Sequence, residues 1–402
     1  MTKAVRAQSQ NQQGPWPTGQ PRRFGRRGGK DDRDAAPPGI PQPARPPDEQ
    51  IPPGRGPARH EAPGEPQDAA VILERARRGV DPGLRRAVDA LPGAMCRIAR
   101  YHFGWEHADG TPAAGNAGKA VRPALVLTAA EALRAPRGAA LRPAVAVELT
   151  HNFTLLHDDV MDRDRTRRHR ATAWTVFGDA DAILAGDALQ AQAQLLLTED
   201  RHPAAAAAAA RLAACVVELC EGQHLDTALE SRPPREVSLT ECLEMAESKT
   251  GALLGCSCAL GALYAGADGE VVEALDEFGR EAGLAFQLID DVIGIWGDPR
   301  RTGKPAGADL LVRKKSLPVV AALTSGTPAA EELAELYARP PERADLDRTA
   351  AAVERAGGRD WAQQQAAEHM SRAVSHLSRA IPDPVAAGGL LALAEFVTRR
   401  TS

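Results

Sequence analysis

Two pairs of adjacent aspartates, Asp158-Asp159 and Asp290-Asp291, are set into apolar stretches 132 residues apart. The first follows Phe153-Thr154-Leu155-Leu156 in VELTHNFTLLHDDVMD, and the second lies within LAFQLIDDVIGIWGD. Adjacent carboxylates among Leu, Ile, Val and Trp are costly to bury unless they are paired or bound to metal. Asp158, Asp159 and Asp162 fall at i, i+1 and i+4. On a helix Asp158 and Asp162 stand about 40° apart and Asp159 about 100° from the first, so the three are expected on one face. Like charges so spaced cost a bare helix about 0.2–0.5 kcal/mol per pair, so the face is expected to meet a cation. Oxygen-only ligation suits Mg²⁺, which takes one or two carboxylates plus substrate phosphates. The alternative is a solvated acidic face paired with Arg163, Arg165, Arg167 and Arg168. The second pair weighs against it, because Gln287 precedes Asp291 by one turn and two such faces can confront each other across a bundle core.

Around these pairs the pattern is helical from about residue 68 onward, with apolar residues at i, i+3, i+4 spacing and few alternating runs. Pro and Gly punctuate it at Gly79–Pro82, Gly110–Gly118, Ala135–Gly138, Arg232–Arg235, Gly266–Gly269, Gly297–Gly307, Gly326–Pro328 and Ala338–Arg343. The segments between run to roughly 15–35 residues, long enough for a large helical bundle. No GxGxxG follows a strand, no phosphate-binding Walker loop is present, and no repeat of about 20–50 residues occurs. The expected fold is all-α, a bundle around a central apolar cavity.

Residues 1–30 carry seven cations and no acid, which leaves the rest with −11 of the net −4. Fourteen of the 31 prolines lie in residues 1–66. Such a segment buries too little apolar surface to offset its ordering entropy. Residues 1–68 are therefore expected to form a disordered arm, solubilising or docking on a protein assembly, and residues 69–402 a single domain. Nothing apolar follows Arg22-Arg23 as a signal peptide requires, and no run reaches the roughly 18 apolar residues of a membrane span. The six cysteines show no zinc-ligand spacing and read as reduced thiols, pointing to the cytoplasm. Aromatics at 4% and a near-neutral charge disfavour nucleic acid as a partner, and RRFGRRGG in the arm is the one basic run.

Positive charge is written almost entirely as arginine: only seven of the 49 cations are lysine. Outside the arm the lysines are Lys119, Lys249, Lys304, Lys314 and Lys315, in GKAVRP, SKTGALL, TGKPAGAD and VRKKSLP. A compact ammonium is a frequent phosphate ligand, whereas guanidinium favours a flat two-pronged contact. Two cation sets, two aspartate sites and an apolar bundle imply a substrate with diphosphate heads and a greasy body.

In order, GKAVRP, ELTHNFTLLHDDVMD, AILAGDAL, EGQHLD, SKTGALL, FQLIDDVIGIWGD, TGKPAGADL and RKKSLPVV resemble the trans-isoprenyl (polyprenyl) diphosphate synthases, across about residues 70–400. The resemblance implies that Asp158, Asp159 and Asp162 hold Mg²⁺ on an allylic diphosphate, with Asp290 and Asp291 holding more, three ions in all. It implies an isopentenyl diphosphate site at Lys119, Arg122, His151 and Arg168. Allylic diphosphate contacts would be Arg167, Lys249, Gln287, Lys304 and Lys314, with Thr250 supporting the developing cation. Asp187, Gln223 and Asp226 match motif positions expected to act from behind. Helical synthases of this family pair as homodimers.

The resemblance implies a head-to-tail condensation in which metals and cations neutralise the departing diphosphate and the isopentenyl double bond attacks the allylic cation. An apolar cage keeps water from that cation. The growing chain would run beneath Asp158, so Phe153 and Thr154 are expected to limit it, with a C20 product favoured and C15 or C25 open. One position departs from the family: the second motif normally reads DDxxD, and residue 294 is glycine, with Asp298 a turn later. A class I terpene cyclase would need an NxxxSxxxE site, which is absent; a silent partner subunit would not need the Lys119, Arg122 and His151 set.

Overall fold

The computed structural model describes residues 68–113, 118–298, 306–340 and 342–398, all within one compact unit, Glu61–Ser402. Residues 1–67, which make up nearly all of the expected arm, and Lys304 lie outside the described residues. Helices dominate, as the spacing of apolar residues predicts. Among the described residues the only strands are β1 (Thr166–Arg167) and β2 (Arg170–Ala171), an antiparallel hairpin pairing Thr166 with Ala171.

Three packed helices carry most of the site. α4 (Leu141–Met161) ends with the first aspartate motif, α7 (Ala205–Ser231) carries EGQHLD, and α10 (Gly269–Trp296) carries the second aspartate pair. Between them runs α9 (Ala252–Tyr264), whose residues are almost all buried. α9 reaches the backbone of α10 itself: a Cβ added at Gly279 of α10 would stand 2.5 Å from Leu254 O. Leu149, Leu156, Leu189, Leu212, Leu253 and Leu260 fill the core on the α4 and α7 side. A second cluster joins α3 (Val121–Ala132), α9 and α10 through Leu125, Cys258, Leu275 and Phe278.

Local signals fix several starts. Asp68 accepts from Ala70 N at 2.8 Å to cap α1 (Ala69–Asp89), and Asp268 accepts from Val271 N at 2.9 Å to cap α10. Ser238 and Glu241 form a reciprocal capping box at α8 (Leu239–Ala246). The break expected at Gly79–Pro82 does not occur. α1 continues through Pro82, because Val80, Leu84 and Val88 bury its inner face while the lost bond opens toward water. The remaining glycine and proline clusters, where they fall on described residues, lie at helix ends or in the connections between helices.

Between α8 and α9 the helix widens into a π-turn, Glu247–Gly251. Such turns cost regular hydrogen bonding and recur at functional sites. This one carries Lys249 and Thr250.

Candidate active site

A cavity of about 500 Å³ opens between α4, α7 and the π-turn. Its lining includes Phe153, Thr154, His157, Asp158 and Met161 from α4, and Leu219, Cys220 and Gln223 from α7. Lys249 and Thr250 join from the π-turn, with Arg122 from α3 and His151 from α4. Anion-binding groups therefore share a largely apolar chamber. Among the described residues no helix is long and apolar enough to cross a membrane.

At the end of α4 the three aspartates do not share one face. Asp158 is half-buried on the cavity wall, and burial pushes its carboxyl up to about 6, with Asp162 and Asp226 adding to the effect and Lys249 and Arg167 opposing it. Asp162, the helix C-cap, is exposed. Asp159 is 1% exposed and turned away, its Oδ1 accepting from Arg167 Nε at 2.7 Å. Adjacent helical residues diverge by about 100°, and here that angle takes Asp159 into protein. This corrects the expectation of three metal-facing carboxylates. Arg167, expected on a diphosphate, is the counter-ion of Asp159.

The π-turn faces this wall. Lys249 Nζ lies 2.5 Å from Asp226 Oδ2 on α7. Burial works against the ammonium, but Asp226, Asp158 and Asp162 outweigh it and hold the proton on. Gly222 makes the approach possible, since a Cβ there would stand 2.5 Å from Lys249 N and 2.8 Å from Ser248 C. Gly222 and Asp226 thus seat the lysine from backbone and side chain.

On α10 a hydrogen-bonded chain runs from Thr250 to Lys314. Thr250 Oγ1 donates to Gln287 Oε1 at 2.9 Å, and Gln287 Nε2 donates to Asp291 Oδ1 at 3.0 Å. Lys314 Nζ donates to the same Oδ1 at 3.0 Å, and Leu317 N to Oδ2 at 3.0 Å. Asp291 is 3% exposed with both oxygens engaged, so the expectation that it holds metal is corrected as well. Asp290, its neighbour, is exposed on the opposite flank. Asp291 also holds Lys314 protonated well above the ordinary lysine range.

Two turns before Asp158 on α4, His151 Nε2 accepts from Arg122 Nη1 at 3.2 Å. Burial first, then Arg122, Arg168 and Arg167, keep His151 neutral. Glu148, one turn earlier and 5% exposed, is pushed up to about 7 by burial. Lys119 stands apart from this pair, its Nζ 5.3 Å from the Phe396 ring. Arg168, in the hairpin with φ 51°, lies with Asp159 and Arg167 on an adjoining recess. Phe153, 9% exposed, meets His157 edge-on at 4.7 Å, and His157 Nε2 donates to Ile183 O at 2.9 Å.

The structure therefore gathers Asp158, Lys249, Thr250, Arg122, His151, Phe153 and Thr154 on one chamber. It places Gln287 behind Thr250 and groups Arg167, Arg168 and Asp159 beside the chamber. Asp309 and Glu148 carry no assignment from sequence reasoning. Asp309 lies inside the quoted TGKPAGADL.

Known proteins agree with this architecture. The Polyprenyl synthetase family profile matches residues 111–354. The chain belongs to the polyprenyl synthetase family. It is 49% identical over 333 residues to the geranylgeranyl diphosphate synthase of Mycobacterium tuberculosis, covering 82% of this chain and 93% of that one. It is 45% identical over 335 residues to a (2E,6E)-farnesyl diphosphate synthase of Mycobacterium bovis, covering 82% and 92%. The polyprenyl synthase of Caulobacter crescentus, solved with calcium and isoprenyl diphosphate, superposes with a TM-score of 0.70 at 30% identity, covering 84% of this chain and 100% of that one. This polyprenyl synthetase is thus an enzyme of the trans-prenyl diphosphate synthase class with the all-α fold of that family.

Proposed function

We propose that the enzyme joins isopentenyl diphosphate to an allylic diphosphate, head to tail and trans, and stops at the C20 product, geranylgeranyl diphosphate. The observation that carries this is the shared chamber: Asp158 and His151 two turns apart on α4, Lys249 from the π-turn, Arg122 beside His151, and Phe153 with Leu219 along the wall. Two anionic heads and one hydrocarbon chain fit that distribution.

The donor set also fits a divalent cation. Asp158 is an ionisable carboxylate pressed toward its neutral form by burial and by Asp162 and Asp226, a burden that a bound cation relieves. Asp158, Asp162 and Asp290 would hold Mg²⁺, three ions by family analogy, together with the substrate diphosphate. When bound, the ions supply Lewis-acid neutralisation of the departing diphosphate.

The chain's own residues do the rest. Lys249 presents a fixed ammonium, held by Asp226, to the allylic head. Thr250, oriented by Gln287, presents its hydroxyl oxygen to positive charge developing next to that head. Arg122, aligned by neutral His151, receives the isopentenyl head, with Arg168 and Lys119 at its approaches. The apolar walls exclude water that would otherwise trap the cation. Phe153, braced by His157, limits chain growth, and Thr154 leaves room above it. Lys304 belongs to the allylic set by its motif.

Residues 69–402 form the single catalytic domain and residues 1–68 an accessory arm that docks on a protein assembly. The working unit is a homodimer in the cytoplasm; support for pairing comes from exposed apolar residues on the surface, Leu184 at 53% and Val217 at 70%. The deciding experiment is incubation with isopentenyl diphosphate, Mg²⁺ and C5, C10 or C15 allylic primers, followed by chromatography. A C20 product is expected from each primer. Products ending at C15 or C25 would overturn the chain length, and no elongation would overturn the reaction.

A further inference from the structure

Glu148 is a buried acid that the reaction above does not use. It falls at i, with His151 at i+3 and Asn152 at i+4, so the three share one flank of α4. His151 carries Arg122 on its Nε2. The hairpin's Arg168 shares a recess with His102, the last residue of α2 (Gly93–His102). Among the described residues the only side chain that hydrogen-bonds Glu148 is Asn152, whose Nδ2 donates to Glu148 O at 2.7 Å and to Oε1 at 3.2 Å. Asn152 is itself fully buried, and its Oδ1 makes no hydrogen bond among the described residues. An orphaned buried acceptor is costly. The amide therefore suits Glu148 in both of its states: the donor holds the ionised carboxylate, and the unpaired acceptor beside it suits the O–H of the neutral acid.

The charges facing Glu148 are Arg122 from α3 and Arg168 from the hairpin. His151 and His102 are held neutral, by burial first and then by the arginines. Burial raises the Glu148 carboxyl, and the two guanidiniums, which stay charged, restrain that rise to about 7. An anionic head seated on the guanidiniums cancels their restraint. We infer that Glu148 is the resident counter-ion of the isopentenyl site, facing Arg122 and Arg168 as an anion while the site is empty and taking up one proton from solvent when the diphosphate arrives. The proton settles on the carboxylate, with Asn152 Oδ1 as its acceptor, and returns to water when the head leaves. Glu148 acts through the two arginines and is a positioning residue. The inference rests on the proposed isopentenyl site at Arg122, His151 and Arg168.

Isothermal titration of the full-length protein with isopentenyl diphosphate alone tests this with no allylic primer and so without turnover. Run at pH 7.5 in HEPES and in Tris, whose heats of ionisation differ, it counts the protons taken up. The wild type is expected to take up about half a proton or more beyond Glu148→Gln, the neutral isostere. The wild-type dissociation constant is expected to rise by up to about tenfold per pH unit above about 7, while that of Glu148→Gln holds within about threefold to pH 8.5. A packing role alone would weaken binding equally at every pH and leave the proton count unchanged. Equal proton counts in the two proteins, or a wild-type affinity that is flat from pH 7 to 8.5, would overturn the inference, the second without any variant. Failure of the wild type to bind isopentenyl diphosphate would instead overturn the proposed function, and this inference with it.

Discussion

Lys314 and Asp291 meet at 3.0 Å, and the carboxylate also accepts from Gln287 Nε2 and Leu317 N. The two members of the second aspartate pair consequently have opposite jobs. Removing one partner of a buried, satisfied ion pair costs about 3–5 kcal/mol, so Asp291→Ala is expected to lower thermal stability sharply. Asp290→Ala, on the exposed flank, is expected to leave the melting temperature nearly unchanged and to cut turnover by orders of magnitude. Calorimetry and steady-state assays on both variants separate the roles; wild-type-like activity in Asp290→Ala would refute the assignment.

Asp158 is strained by its surroundings in the metal-free protein. Its folded carboxyl, raised to about 6, binds a proton more tightly than in the unfolded chain. Its contribution to stability is therefore full at low pH and is lost as pH rises from about 4 through 6. Asp158→Asn is expected to raise the metal-free melting temperature at pH 7.5, with the gain shrinking as pH falls toward 4. A variant less stable than wild type at pH 7.5 would contradict this.

The same group governs the acid side of activity. Protons compete with metal for the carboxylate, so apparent Mg²⁺ affinity is expected to fall up to about tenfold per pH unit below about 6 and to level off above it. Measuring the Mg²⁺ requirement from pH 5 to 8 checks the break point.

Phe153 and His157 make a two-ring wall at the cavity. Phe153→Ala is expected to lengthen the product by one or more five-carbon units, at a cost of about 3–5 kcal/mol in stability. An unchanged product length on chromatography would assign Phe153 to core packing alone.

Gly222→Ala tests the seat of Lys249. The added methyl would overlap the Lys249 and Ser248 backbone, and overpacking of this kind costs about 1–3 kcal/mol. Loss of turnover beyond that explained by unfolding is expected, because the π-turn must shift. An active variant with normal kinetics would show that the lysine's seat is elastic.

Much of this was legible in the sequence because it depends on local rules. Apolar spacing marks the helices. The motif set singles out Asp158, Lys249, Thr250, Arg122 and His151, which converge on the cavity. Less legible was which carboxylates face inward. Helical angles locate Asp159 and Asp291 relative to their neighbours, but only tertiary partners, Arg167 and Lys314, decide that both turn into protein. Pro82 was misread as a break because burial of Val80 and Leu84 outweighs one missing hydrogen bond.

The π-turn that carries Lys249 and Thr250 rests on Gly222 with main chain against main chain. Such a joint has no compressible side chain to absorb movement, so these two groups keep their aim whatever primer is bound. Accommodation of longer hydrocarbon tails then devolves on the opposite lining, where Thr154, Phe153 and the His157 ring stand on α4. One half of the chamber acts as an anvil and the other as upholstery.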